Sequence, residues 1–118
     1  MAILRQTFWK NLMVYVFDID GTICENVDSD YENSTPISKR IQKVNKLYAD
    51  GHTVIFQTAR GMGRSGNSAA FAYKAFYDMT KKQLETWDVH YHSLFLGKPS
   101  ADFYIDDKGI NDEDFFTD

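Results

Sequence analysis

Short apolar runs that end abruptly in polar residues mark the strands of this chain. Residues 13–17 form such a run, which ends at a carboxylate, and residues 53–57 form a second one. Similar runs at residues 91–96 and 103–105 predict a third and a fourth strand. The sequence therefore predicts four short strands, each followed directly by polar residues.

Two helices are predicted between these strands by apolar positions at helical spacing. The first begins at the pair Thr35-Pro36, which is typical of an N-cap and a first helical residue, and ends at Gly51. The second is predicted over residues 68–87, with a break near Asp78, after which Thr80 and Gln83 form a capping box that restarts the helix.

Strands that alternate with helices indicate an α/β fold, with a parallel sheet and helices on both faces. The 118 residues suffice for one such domain. The connection from Leu96 to Asp102 is too short for a crossover helix, so the last strand either follows an extended segment or runs antiparallel. Met13 directly precedes the first strand, so we expect residues 1–12 to be an extension and residues 13–118 to form the single domain.

Composition and charge narrow the classes of function. The formal net charge of −4 gives no electrostatic reason to expect nucleic acid as a partner. No apolar run approaches the roughly 20 residues that a membrane span needs, so we expect no membrane partner. Cys24 is the only cysteine, which excludes an internal disulfide and suits a reducing, cytoplasmic compartment. Its nearness to the first carboxylates suggests a nucleophile, but a small packing residue is the favoured interpretation.

The first strand ends in two carboxylates one residue apart. Asp18 and Asp20 would lie at its carboxyl end, where open α/β sheets place their sites. Side chains alternate along a strand, so these two could share a face. Two close carboxylates repel each other unless a cation or a shared proton joins them, which points to Mg²⁺. The alternative is that one aspartate caps a helix and the other forms an Asp-Gly turn.

Polar residues follow the later strands as well, and these candidates are Thr58, Ala59, Arg60, Lys98, Asp106 and Asp107. Two acid pairs, a hydroxyl and a lysine at loop tips suit phosphoryl transfer. Carboxylates hold Mg²⁺, while the lysine and the hydroxyl bind phosphoryl oxygens as charge develops. Turn formation is the alternative for Thr58 and Asp106, and a solvated surface position is the alternative for Lys98. Arg60 and Arg64 could clamp a second anionic group on the substrate, with simple surface charge as an equal alternative.

In this order, the pieces resemble the haloacid dehalogenase-like (HAD) superfamily of aspartate-nucleophile phosphatases. Its four motifs match DIDGT at residues 18–22, Thr58, Lys98 and the acidic pair at residues 106–107. The segments TARG and GKPSADFYIDDKG are most similar to small phosphatases encoded with bacterial capsule and surface-polysaccharide genes. The resemblance implies a HAD-like, Rossmannoid three-layer α/β/α fold with a small, mainly parallel sheet and no cap domain.

The resemblance also implies roles for the matched residues. Asp18 would attack phosphorus and form an aspartyl-phosphate, and Asp20 would protonate the leaving oxygen and then activate water. Phosphoryl oxygens would be bound by Thr58, Ala59, Arg60 and Lys98. The Mg²⁺ ligands would be Asp18, the backbone carbonyl of Asp20, and Asp107 in preference to Asp106, with Asp112 acting through water.

The resemblance further predicts an open site, because neither connection between the first three strands has room for a folded cap. Closure would come only from residues 28–34 or from a neighbouring subunit, and an exposed sheet edge favours a homo-oligomer. The expected activity is a Mg²⁺-dependent phosphomonoesterase acting on a sugar phosphate or nucleotide-linked precursor of surface polysaccharide. The alternatives are a nucleotide or nucleic-acid-end phosphatase and an inactive module that binds phosphate or metal.

Overall fold

The computed structural model describes residues 12–117, so residues 1–11 of the predicted extension lie outside it. Its elements, in chain order, are β1 (Val14–Phe17), β2 (Cys24–Glu25), β3 (Thr35–Pro36), α1 (Ser38–Ala49), β4 (Thr53–Thr58), α2 (Ala69–Thr86), β5 (Ser93–Leu96) and α3 (Asp112–Phe115). Short 3-10 turns lie at Tyr31–Asn33 and Gly63–Ser65.

Three of the strands form a parallel sheet in the order β1-β4-β5. Phe17 lies beside Phe56, and Phe56 lies beside Leu94, so these three side chains share one face. The β1–β4 and β4–β5 crossovers proceed in the same direction across the sheet, and right-handed crossovers of that kind carry their helices to the same face. The α/β class, the parallel sheet and the lack of a cap among the described residues agree with the prediction. The expectation of helices on both faces does not, because α1 and α2 cover the same face and the other is exposed in the described part of the chain.

The core lies on the sheet face that α1 and α2 cover. Phe56 and Val54 of β4 are fully buried there, with Val44 from α1 and Leu84 from α2. On the opposite face, Val14 and Val16 of β1 and Phe95 of β5 are at least half exposed. Burial of one face explains why β4 alternates strictly between buried and half-buried positions.

The predicted start of the first helix is wrong by two residues, since the N-cap is Ile37 rather than Thr35. Thr35 and Pro36 pair with β2 in a short antiparallel ladder, and the Ile37 N–H donates to the Ile23 carbonyl. These backbone bonds keep the segment extended, so α1 begins only at Ser38. The loop between β2 and β3, residues 26–34, forms a polar flap beside the carboxyl end of β1.

The predicted break in the second helix is also wrong, because α2 runs without interruption from Ala69 to Thr86. Asp78 lies on its exposed side, where one aspartate weakens a helix by only about half a kcal/mol. The side chain of Ser68 accepts from the Phe71 N–H and caps the helix.

The predicted fourth strand does not form among the described residues. Residues 103–105 lie in an exposed loop, with Ile105 95% exposed. The Ser100 N–H donates to the Asn67 side chain, which holds the start of this loop beside the residues that precede α2. The chain returns to the body at α3, where the Phe115 ring packs near Phe17. The question of a parallel or antiparallel last strand therefore does not arise.

Candidate active site

An open cleft of about 630 Å³ lies at the carboxyl end of the sheet. Its walls come from the turn after β1, the flap, and the loop after β4. The lining residues are Asp18, Asp20, Asn26, Asp28, Ser29, Tyr31, Ala59, Arg60, Gly63, Arg64 and Ser100. Parallel sheets commonly place ligands at this edge, so the cleft is the candidate site.

Asp18 directly follows β1 and faces Lys98. Its Oδ1 accepts from the Ile19 N–H at 2.9 Å, and its Oδ2 lies 3.6 Å from the Lys98 Nζ. Burial raises the pKa of Asp18, and the charge of Lys98 opposes that shift. The result is an oriented carboxylate beside a fixed positive charge, which is what a nucleophile that attacks an anionic phosphate requires.

Asp20 is brought to the same cleft by a tight turn. Gly21 has a φ of +79°, and the Ile23 N–H donates to the Ile19 carbonyl. The Asp20 carboxylate accepts from the Arg60 guanidinium at 2.8 Å and from the Asn26 amide at 2.7 Å. The structure thus brings Asp18, Asp20 and Lys98 together, as the sequence predicted.

Thr58 ends β4 and is fully buried rather than part of the cleft wall. Its hydroxyl oxygen accepts from the Arg60 N–H at 3.1 Å, and its carbonyl accepts from the Lys98 N–H at 3.2 Å. Ala59, the next residue, lines the cleft. Thr58 therefore shapes the backbone of the loop and links it to Lys98.

The second acidic pair lies outside the cleft. Asp106 and Asp107 are exposed in the loop before α3. Asp106 Oδ1 accepts from the N–H groups of Lys108 and Gly109, and these two bonds lower the pKa of Asp106. Asp112 lies 2.6 Å from Arg40, so it ties α3 to α1. The fold does not bring these three acids to Asp18.

Among residues 12–117, no group of three or more carboxylate, histidine or cysteine side chains converges as a metal site. Mg²⁺ is commonly held by one or two carboxylates, with water and substrate phosphate filling the other positions. Asp18 and the backbone carbonyl of Asp20 are the predicted ligands that the cleft supplies. They fit Mg²⁺ only as such a minimal site, which Asp107 does not join in this arrangement.

Cys24 is buried beneath the first turn and packs in the core. Burial is the main cause that raises the pKa of the Cys24 thiol to about 12, and the negative charge of Asp20 is the second cause. The thiolate is the nucleophilic form, so this side chain is inert at neutral pH. The preferred interpretation as a small packing residue agrees with this position.

The sequence pattern did not identify three residues that belong to the site. Asn26 donates to Asp20, Tyr31 lines the cleft from the flap, and Gln83 of α2 contacts Arg60. The polar composition of residues 26–34 is a signal that a flap exists, but no local pattern singles out these partners. Gln83 lies 23 residues from Arg60, and only folding brings the two together.

Comparisons with known proteins find likeness in structure alone. No protein-family model and no curated protein sequence matches the chain. A structural-genomics target from Vibrio cholerae is similar over 90% of this chain and 89% of its own, with 25% identity and a TM-score of 0.82. A D,D-heptose 1,7-bisphosphate phosphatase from B. bronchiseptica, crystallised with magnesium and phosphate, is similar over 77% of this chain with 18% identity and a TM-score of 0.51.

These likenesses concern the fold. This chain spans about half of the heptose bisphosphate phosphatase, 52% of its length. The two likenesses support an α/β fold, which agrees with the observed small parallel sheet. None of the described helices is long and apolar enough to cross a membrane.

Proposed function

We propose that this protein is a phosphomonoesterase that works through an aspartyl-phosphate on Asp18. The observation that carries the proposal is the pairing of Asp18 with Lys98 at 3.6 Å, with Asp20 in the same cleft. A carboxylate nucleophile, a cation for the phosphoryl oxygens and a second carboxyl group supply the parts of covalent phosphoryl transfer.

The reaction proceeds in two displacements. In the first, an Asp18 oxygen bonds to phosphorus while the bond to the leaving oxygen breaks, and Asp20 gives its proton to that oxygen. In the second, water attacks phosphorus, Asp20 takes a proton from the water, and the bond to Asp18 breaks. Lys98 stabilises the negative charge that builds on the phosphoryl group. Ala59 and Arg60 belong to the loop that faces the phosphate, and the buried Thr58 shapes that loop.

A Mg²⁺ requirement belongs to this proposal. Asp18 and the Asp20 carbonyl are the groups in the cleft that would hold the ion, and the heptose bisphosphate phosphatase was crystallised with magnesium and phosphate. When bound, the ion would neutralise charge on the phosphoryl oxygens. The motif order also predicted Asp107 and Asp106 as ligands, but both lie outside the cleft and are not part of this proposal.

The proposed substrate is a sugar phosphate or a nucleotide-linked precursor of surface polysaccharide, dephosphorylated in the cytoplasm. The open cleft admits a leaving group larger than the phosphate, since the described residues form no folded cap over it. Arg64 is exposed in the wall, with its guanidinium 5.5 Å from the Tyr31 ring centre. It is placed to meet a second anionic group of such a substrate.

The test is hydrolysis of p-nitrophenyl phosphate by the wild type and by Asp18→Asn, with Mg²⁺ and with EDTA. We expect Mg²⁺-dependent activity that falls to background in the variant, because the amide lacks the nucleophilic oxyanion. Asp28→Asn is the matched control, since Asp28 lines the same cleft without contacting Lys98. Activity that survives Asp18→Asn would contradict the proposal.

An active wild type would then be assayed on sugar phosphates, nucleotides and 5′-phosphorylated DNA. Preference for the sugar phosphates is the expected result. Preference for nucleotides or DNA ends would replace the proposed substrate class, while no activity on any of them would favour a phosphate-binding module.

A further inference from the structure

Arg60 carries the largest fully buried side chain among the described residues. The residue is 1% exposed, although the resemblance predicted that it binds phosphoryl oxygens and the alternative was a surface charge. A guanidinium remains charged in proteins, so burial is tolerated only with close, hydrogen-bonded partners. The identity of those partners therefore indicates what Arg60 does.

The main partner of Arg60 is Asp20. Arg60 Nε lies 2.9 Å from Asp20 Oδ2 and 3.2 Å from Oδ1, and Arg60 Nη2 lies 2.8 Å from Oδ1. Asp20 Oδ1 also accepts from Asn26 Nδ2 at 2.7 Å and from the Cys24 thiol at 3.5 Å. Oδ1 is thus crowded with donors, whereas Oδ2 accepts from Arg60 Nε alone within the described chain. Oδ2 is the oxygen that is left to exchange a proton with a ligand.

The other end of the guanidinium is fixed to α2 and to the flap. Arg60 Nη1 donates to Gln83 Oε1 at 2.7 Å and to Thr80 Oγ1 at 3.2 Å. Gln83 Nε2 in turn donates to the Tyr31 carbonyl at 2.7 Å, and the Tyr31 ring centre lies 4.9 Å from Arg60 Cζ. A helix side chain and a flap residue therefore hold the Arg60 guanidinium in the orientation that Asp20 requires.

We infer that Arg60 is a positioning residue, which fixes the Asp20 carboxyl group so that Oδ2 faces the leaving oxygen of the substrate. The inference rests on the proposed phosphatase activity. It gives Arg60 a role through Asp20 rather than through direct contact with the phosphate.

The proton balance follows from this arrangement. In the first displacement Oδ2 gives its proton to the leaving oxygen as the phosphorus–oxygen bond breaks, while Oδ1 keeps its bonds from Arg60 and Asn26. In the second, Oδ2 takes a proton from the attacking water as the bond from phosphorus to Asp18 breaks. Asp20 is therefore protonated again after one full cycle, and no other reactant is needed.

The test uses two substrates of similar shape, p-nitrophenyl phosphate and phenyl phosphate. Phenol is the weaker acid, so its departure depends more on protonation. The parameter kcat/KM includes only the steps up to formation of the aspartyl-phosphate, in which the leaving group departs. The ratio of kcat/KM for the two substrates therefore reports protonation of the leaving group. General acid catalysis contributes about 10²–10⁴-fold. Arg60→Lys keeps the positive charge but loses the paired N–H donors of the guanidinium. We expect it to lower kcat/KM for phenyl phosphate roughly tenfold more than for p-nitrophenyl phosphate.

Two further variants separate positioning from a general structural effect. Arg40→Lys is the matched control, because Arg40 also pairs with an aspartate, Asp112, but lies outside the cleft lining, and its ratio should equal that of the wild type. Gln83→Met removes a support of Arg60 while keeping the Arg60–Asp20 pair, and should shift the ratio in the same direction by a smaller factor. If Arg60→Lys does not fold, the ratio of kcat/KM values in Gln83→Met tests the inference instead.

Equal losses on both substrates in Arg60→Lys, or an unchanged ratio in a folded Gln83→Met when Arg60→Lys is unfolded, would overturn the inference while leaving the phosphatase activity in place. A wild type that hydrolyses neither phenyl phosphate nor any other phosphomonoester would overturn the proposed function, and the inference with it.

Discussion

At the scale of single residues, Asp18 shows a conflict between stability and the proposed reaction. The carboxylate has to be ionised to attack phosphorus, yet burial raises its pKa above the ordinary value of 3.8. The charge of Lys98 lowers the pKa of Asp18 again, but by less than burial raises it. Between 3.8 and the raised pKa, the native state binds more protons than the unfolded state. The free energy of unfolding therefore falls as pH rises through that window, and stays lower at neutral pH.

This linkage predicts that Asp18→Asn stabilises the protein. In metal-free buffer at pH 7, we expect the variant to melt at a higher temperature than the wild type, because the amide carries no buried charge. The difference should shrink as the pH falls towards 3.8, where the wild-type carboxyl group becomes protonated in both states. Thermal denaturation at several pH values is the measurement, and a lower Tm for the variant at pH 7 would contradict the linkage argument.

At the scale of elements, α2 links the core to the candidate site. One part of its surface buries Ala72 and Leu84, and another supplies Thr80 and Gln83 to Arg60. This second set explains why the helix does not break where a capping box was predicted. The side chains of that motif bond to a distant guanidinium rather than to their own backbone.

The start of α2 gives a stability prediction. Ser68 Oγ accepts from the Phe71 N–H at 3.2 Å, so Ser68→Ala should lower the free energy of unfolding by about 1 kcal/mol. Urea denaturation measures the change. Ser68→Asp is the control, since an aspartate also caps helices and should keep most of the stability. Equal losses in both variants would show that the hydroxyl is not acting as a cap.

At the scale of the whole molecule, one face of the sheet and one edge have few partners among the described residues. Val16 is 53% exposed and Phe95 is 50% exposed. β1 pairs only with β4 in that part of the chain. Exposed apolar surface beside an unpaired strand favours association with another chain.

The homo-oligomer predicted from the sequence stays a prediction, and this surface makes it testable. Light scattering during size exclusion should give a mass above the 13.6 kDa of one chain. Val16→Lys, which puts a charge on the exposed face, should return the mass towards that of a monomer, whereas Lys46→Glu on the outside of α1 should not. A wild-type mass of one chain would contradict the prediction.

The local pattern of this sequence was enough to place β1, β4 and β5, and the Asp18–Asp20 pair at the carboxyl end of β1. Alternation of apolar residues and the sudden change to carboxylates are properties of neighbouring residues, so no distant contact is needed to detect them. The order of Asp18, Thr58 and Lys98 along the chain also predicted that Asp18 and Lys98 would meet. Parallel strands bring their carboxyl ends to one edge, which is a consequence of topology alone.

Only the tertiary structure decided what Arg60 contacts and where residues 103–107 lie. Arg60 meets Asp20 across 40 positions of sequence, and an arginine in a polar loop carries no local sign that it will be buried. Residues 103–105 have a strand-like composition, yet a strand forms only where an edge accepts its backbone hydrogen bonds. Sequence therefore determined the chemical groups of the site, and packing between distant segments determined which of them face one another.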